Sequence, residues 1–138
     1  MKRLMDGATL PTRAHPDDAG LDLYALEDAT FLPGEGRIVK TGVALAIPDA
    51  HVGLVCDRSS MAKKGLKTAG GVIDAGYRGE LGVMLWNISQ AAHEVKKGER
   101  IAQLLVIPIA VPAPVEVADL GSTARGAGGF GSTGTHKG

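Results

Sequence analysis

The sequence predicts an all-β fold, a jelly roll or β-sandwich with at most one short helix, on three observations. Strand-like segments are short and closed by turn signals every few residues. No stretch sustains an apolar repeat of helical period over a long run. Twenty Gly and seven Pro accompany an aromatic content of 4%, so Val, Ile, Leu and Ala must fill the core between many turns. At 138 residues, one domain can bury a real core.

Taken in order, residues 21–26 are apolar around a single acid, Asp22. Pro33, Gly34, Glu35 and Gly36 form a turn, after which Ile38, Val43, Leu45 and Ile47 largely keep period two across 37–47. Pro48 and Asp49 break that run, and 51–56 resumes it. Residues 58–64 make the one helical candidate, about two turns long, with Ser59 or Ser60 as its cap. Residues 70–80 predict a hairpin. Gly70 and Gly71 permit φ > 0 or a close backbone approach, and Val72 and Ile73 suit a half-buried strand. Asp74, Ala75, Gly76 and Tyr77 then spell a four-residue turn. Across 79–87, Leu81, Val83 and Leu85 fall on one face, Met84 and Trp86 on the other. After a turn at Lys97, Gly98 and Glu99, residues 100–109 form a strand apolar on both faces. Such a strand must be covered on both sides, which points to a subunit interface. Pro112 and Pro114 predict an extended arm along this molecule's surface or a neighbour's.

Residues 1–120 read as the folded domain and 121–138 as a Gly-rich tail, mobile on its own. The tail is either a low-complexity end or a segment that folds over an anion. For the second it offers Arg125, the ring of Phe130, and the hydroxyls of Ser132 and Thr133.

Fifteen basic residues balance fifteen acidic ones, which argues against a nucleic acid polymer as partner and leaves a small anion open. The lone Cys56 excludes a disulfide framework and a multi-Cys zinc site, and the four His lack metal-ligand spacing. No apolar run reaches membrane-spanning length and the first residues lack a signal-peptide core, so a soluble cytoplasmic protein is expected.

Three segments suit phosphate. Arg58, Ser59 and Ser60 combine a guanidinium fork, two hydroxyls and free N–H groups at a helix start. The tail adds Arg125, Ser132 and Thr133, and Gln103 interrupts an apolar strand where it needs a buried partner or a pocket. Each has a plainer role: Arg58 paired with Asp57 or Glu80, Ser59 as a cap, Gln103 on a neighbouring backbone, Asp74 capping its own turn. Together they describe a site for a small polyphosphate with a planar group.

Across nearly its full length the chain resembles the trimeric dUTP diphosphatases, the dUTPases, with five motifs in order. They cover residues 19–25, 58–62, 71–79, 98–104 and 125–134. The resemblance implies a jelly-roll homotrimer with shared active sites, hydrolysing dUTP to dUMP and pyrophosphate with Mg²⁺. It also implies a role in keeping uracil out of DNA and supplying dUMP for thymidylate synthesis. On it, Asp74 is the general base for water attacking the α-phosphorus, Tyr77 lies under the deoxyribose, and main-chain groups around Gly71 and Gly82 read uracil. Arg58, Ser59, Ser60 and Gln103 hold phosphates. The tail closes over the site, with Arg125 at the γ-phosphate, Phe130 stacked on uracil, and Gly131, Ser132 and Thr133 on phosphate. Asp22 is either linked to the metal through water or structural.

The chain departs from the usual motifs at Ser60, where Gly is common. Cys56 and Asp57 replace an apolar residue and Pro, and Ala75 and Gly76 replace a polar pair. None of these removes a charged or catalytic group. The related dCTP deaminases do not usually carry this tail and need a glutamate to activate water. A silent binding protein on the same scaffold would have lost Asp74 or the tail motif.

Overall fold

The structure, a computed structural model, describes residues 1–129. Among the described residues every ladder is antiparallel, and no two paired strands are consecutive in the chain, so the sheets are built by crossovers rather than by hairpins. The strands are β1 (Lys2–Arg3), β2 (Leu21–Tyr24), β3 (Ala29–Phe31), β4 (Gly36–Val39), β5 (Val43–Ala44) and β6 (His51–Asp57). After α1 (Ser59–Lys63) come β7 (Leu66–Ala69), β8 (Val72–Ile73), β9 (Val83–Asn87), β10 (His93–Val95) and β11 (Arg100–Pro108). Among the described residues α1 is the single helix, in line with the all-β expectation.

A four-stranded sheet runs β2-β11-β6-β8 and a three-stranded sheet β4-β9-β7, with ribbons β1-β5 and β10-β3 beside them. Both larger sheets turn one face to a shared core: Leu23, Val55, Ala102 and Leu104 from the first, Val39, Leu66, Val83 and Leu85 from the second. Leu81, Val83 and Leu85 are buried as their alternation predicts, while Trp86 on the opposite face is exposed. Two buried polar side chains are bonded in place. Thr41 Oγ1 donates to Leu81 O (2.6 Å), and Asn87 Nδ2 donates to Phe31 O (3.1 Å) and Ala91 O (2.8 Å).

Three expectations change. The run over 37–47 splits into β4 and β5 because Gly42 takes φ 69, a turn conformation that interrupts the ladder. Arg58, rather than Ser59 or Ser60, is the N-cap of α1, and no side chain caps it. The segment 70–80 is a strand and turn without a returning ladder. β8 pairs with β6, while β9 pairs with β4 and β7. Gly70 at φ 61 is where the chain leaves one sheet for the other. The β1, β3, β7 and β10 strands are too short or too polar for alternation to reveal.

Candidate active site

One cleft forms where β2, β11 and the end of β6 meet. Asp22 on β2 lies opposite Gln103 on β11, and Gln103 lies opposite Cys56 on β6, which brings three distant segments to one spot. The cleft encloses about 460 Å³ and is lined by Asp18, Gly20, Asp22, Arg58, Ser59, Ser60, Arg100 and Gln103, among others. Arg58 pairs with neither Asp57 nor Glu80. Its Nε meets Asp22 Oδ1 at 2.8 Å, and its other arm donates to Arg100 O (3.2 Å). Arg100 in turn meets Asp22 Oδ2 at 3.1 Å, so one carboxylate orients two guanidinium groups. Ser59 and Ser60 open α1, where the first N–H groups have no intrahelical acceptor.

Gln103 does both things open to it. It lines the cleft, and its Nε2 donates to Asp57 O at 2.8 Å. A Cβ on Gly20 would collide with the Gln103 side-chain oxygen, so that glycine makes room for the amide. Behind the cleft, the Asp57 carboxylate accepts from Thr68 N (2.6 Å), Thr68 Oγ1 (2.8 Å) and Lys67 Nζ. Burial pushes the Asp57 carboxyl up, but these donors outweigh it and hold the group below its ordinary value.

The second cleft, of about 420 Å³, opens beside the 70–80 segment and is mostly apolar. Its wall includes Ile38, Val72, Ile73 and Met84, with Lys40, Asp74, Tyr77, Glu80 and Gly82. Gly71 does approach a backbone closely, but that backbone is β6: Val55 N donates to Gly71 O (2.8 Å), and a Cβ there would strike Val55 O. The turn closes through Tyr77 N to Asp74 O (3.0 Å), and Arg78 NH1 clamps Ala75 O (2.6 Å) and Tyr77 O (2.8 Å). Asp74 is exposed, and its carboxylate has no hydrogen bond to any described residue. The turn is held without it, so the turn-capping role does not account for this acid. Tyr77 Oη donates to Glu80 O (2.9 Å), and Glu80 Oε1 accepts from Gly42 N (2.9 Å), which anchors the returning limb.

The two clefts share no lining residue. Arg125 lines neither, its Nε donating to Gly128 O (3.0 Å) in a local turn. Phe130, Gly131, Ser132 and Thr133 lie outside the described residues. Among the described residues no group of three or more His, Cys, Asp or Glu could cage a cation. Both Asp22 oxygens are engaged by arginine, so a metal here would take its ligands mainly from phosphate and water, the coordination Mg²⁺ favours. Sequence reasoning gave Lys40 no role, placed Arg100 in a motif without a role of its own, and offered Glu80 only as a partner for Arg58. Asp22 inside an apolar strand was the signal for a hidden cation such as Arg100. Glu80 and Gly42, 38 residues apart, gave none.

Among the described residues no helix is long and apolar enough to cross a membrane. The dUTPase family model matches residues 6–134. The Rhodococcus erythropolis (strain PR4 / NBRC 100887) deoxyuridine 5'-triphosphate nucleotidohydrolase is 48% identical, over 99% of this chain and 85% of that one. The Mycobacterium tuberculosis (strain ATCC 25618 / H37Rv) enzyme of the same name is 49% identical, over 97% and 93%. Among solved structures, a mutant Staphylococcus bacteriophage 80alpha dUTPase with dUpNHpp matches with a TM-score of 0.91 at 33% identity, covering 96% of each chain. A mutant phage phi11 dUTPase, described for its coordination of a structural Mg(II) ion, matches at 0.80 and 31% identity, over 86% of this chain and 95% of that one.

Proposed function

The chain belongs to the dUTPase family and is a nucleotide hydrolase with that family's jelly-roll fold, and from this premise we propose how its residues act on dUTP. Water, deprotonated by the Asp74 carboxylate, attacks the α-phosphorus. A new P–O bond forms, the bond from that phosphorus to the β-phosphate bridging oxygen breaks, and pyrophosphate leaves with dUMP as the other product. The observation that carries this reading is the Asp74 carboxylate, without a hydrogen-bond partner among the described residues on the wall of an apolar cleft. A base that must take a proton from water needs that freedom.

Uracil and deoxyribose occupy the Asp74 cleft. Tyr77 packs under the sugar and leaves no space for a 2′-hydroxyl, and backbone groups near Gly71 and Gly82 read the base. Arg58, Ser59, Ser60 and Gln103 hold the phosphates in the other cleft, where the Asp22 clamp presents the guanidinium at a fixed angle. Arg125, Gly131, Ser132 and Thr133 add phosphate contacts and Phe130 covers the base, the 121–138 tail closing over the 1–120 domain. When bound, Mg²⁺ would supply charge neutralisation and Lewis acidity to the triphosphate, and Asp22 would help to hold it through water. A complete site joins the Asp74 cleft of one copy to the Arg58 cleft of another in a homotrimer, as the family resemblance implies, and two clefts without a common lining residue are compatible with that. The product supplies dUMP for thymidylate synthesis in the cytoplasm and removes dUTP before it enters DNA.

The test is a substrate panel with Mg²⁺. Pyrophosphate release from dUTP, with little from dTTP, dCTP or UTP, is expected. Equal turnover of dTTP would overturn the proposed readout of the base.

A further inference from the structure

Asp57 stands one residue before Arg58, at the end of β6, yet its carboxylate points its bonds away from that arginine. Oδ1 accepts from Thr68 N and Thr68 Oγ1, and Oδ2 accepts from Lys67 Nζ, all on β7 of the other sheet. Its backbone oxygen meanwhile accepts from Gln103 Nε2 at 2.8 Å. One residue therefore joins both sheets and touches the chain on either side of the phosphate cleft, without lining that cleft itself. A carboxylate next to a phosphate-binding guanidinium is also a competitor for it. The β7 donors occupy this one, and Arg58 is left to Asp22.

We propose that Asp57 is a positioning residue: tied to Lys67 and Thr68, it fixes the Arg58–Ser60 segment and Gln103, and its own charge is kept off the phosphate site. The inference rests on the phosphate-binding role proposed above for that cleft. Asp57 makes no contact with the reacting atoms, so its effect falls on binding rather than on the chemical step.

Steady-state kinetics on dUTP and calorimetric titration with pyrophosphate, both on the full chain with Mg²⁺, test it. Asp57→Ala should raise KM about tenfold and weaken pyrophosphate binding in proportion, with kcat changed less than about twofold. Asp57→Asn, which keeps an acceptor for Thr68, should recover most of that loss. Lys67→Met, which frees the carboxylate toward Arg58, should raise KM, and adding Asp57→Asn to it should bring KM back down. A melting temperature lowered by Asp57→Ala with KM and pyrophosphate affinity unchanged would overturn the proposal. So would a Lys67→Met loss that Asp57→Asn leaves in place, and this pair decides the matter if Asp57→Ala does not fold. Wild-type protein that binds pyrophosphate but spares dUTP would refute the proposed reaction and leave the positioning role to be judged by titration.

Discussion

Arg58 and Asp74 represent two ways of holding a charged side chain. Arg58 is fixed by Asp22 and by the Arg100 carbonyl, within a cleft whose floor is a three-strand register. Asp74 rides on a turn that other groups hold closed, chiefly Arg78 and the Tyr77 N–H, and its own oxygens have no bond to a described residue. The difference matches the two tasks proposed. A group that stabilises charge works best when its orientation is settled before substrate arrives. A group that must accept a proton cannot have its lone pairs already filled.

The largest effect should come from the unbonded acid. Asp74→Asn keeps shape and removes basicity, so turnover should fall by about a hundredfold to ten-thousandfold while dUTP still binds. Rapid-quench kinetics alongside equilibrium binding checks this, and full activity would assign the base elsewhere. Truncation after Leu120 comes next. With the proposed base-stacking ring gone, kcat/KM should drop at least about tenfold while the circular dichroism spectrum and oligomeric state persist. An unfolded product would make the tail part of the scaffold.

On the clamped side, Arg58→Met should cost about tenfold to a hundredfold in kcat/KM, from the loss of charged hydrogen bonds. Asp22→Asn should cost less, because it loosens the guanidinium without removing it. If Asp22→Asn equals Arg58→Met, orientation rather than charge governs the cleft. The smallest effect concerns stability. The Asp57 carboxyl is held below its ordinary value when folded. Its stabilisation is therefore fully present above the unfolded pKa and disappears as pH falls through the lower folded one. Asp57→Asn should lower stability by about 1 kcal/mol near neutral pH, and the gap to wild type should close in acid. Urea melts at several pH values measure this.

The long, alternating strands were legible in the sequence. Leu81, Val83 and Leu85 against Met84 and Trp86 gave β9 its faces, and the apolar 100–109 run became β11. The five motifs named most of the residues proposed for the site. What remained hidden was whatever depends on a partner far along the chain. Nothing near Arg58 says that it pairs with Asp22, or that Asp57 turns to Lys67 and Thr68 rather than to its neighbour. The expected hairpin failed for the same reason. Val72 and Ile73 pair with β6, a choice fixed by the Val55 backbone bond at Gly71 and not by the turn that follows.

If the two clefts belong to different copies at each site, defects in them should complement. Asp74→Asn and Arg58→Met would be purified separately, mixed, unfolded and refolded together, then assayed for pyrophosphate release from dUTP. Shared sites predict that the mixture exceeds the mean of the two separately refolded variants, Asp74→Asn alone having almost no activity and Arg58→Met alone about a tenth or less of wild type. A mixture no more active than the sum of its parts would mean that both clefts must come from a single chain, which would contradict the proposed assembly.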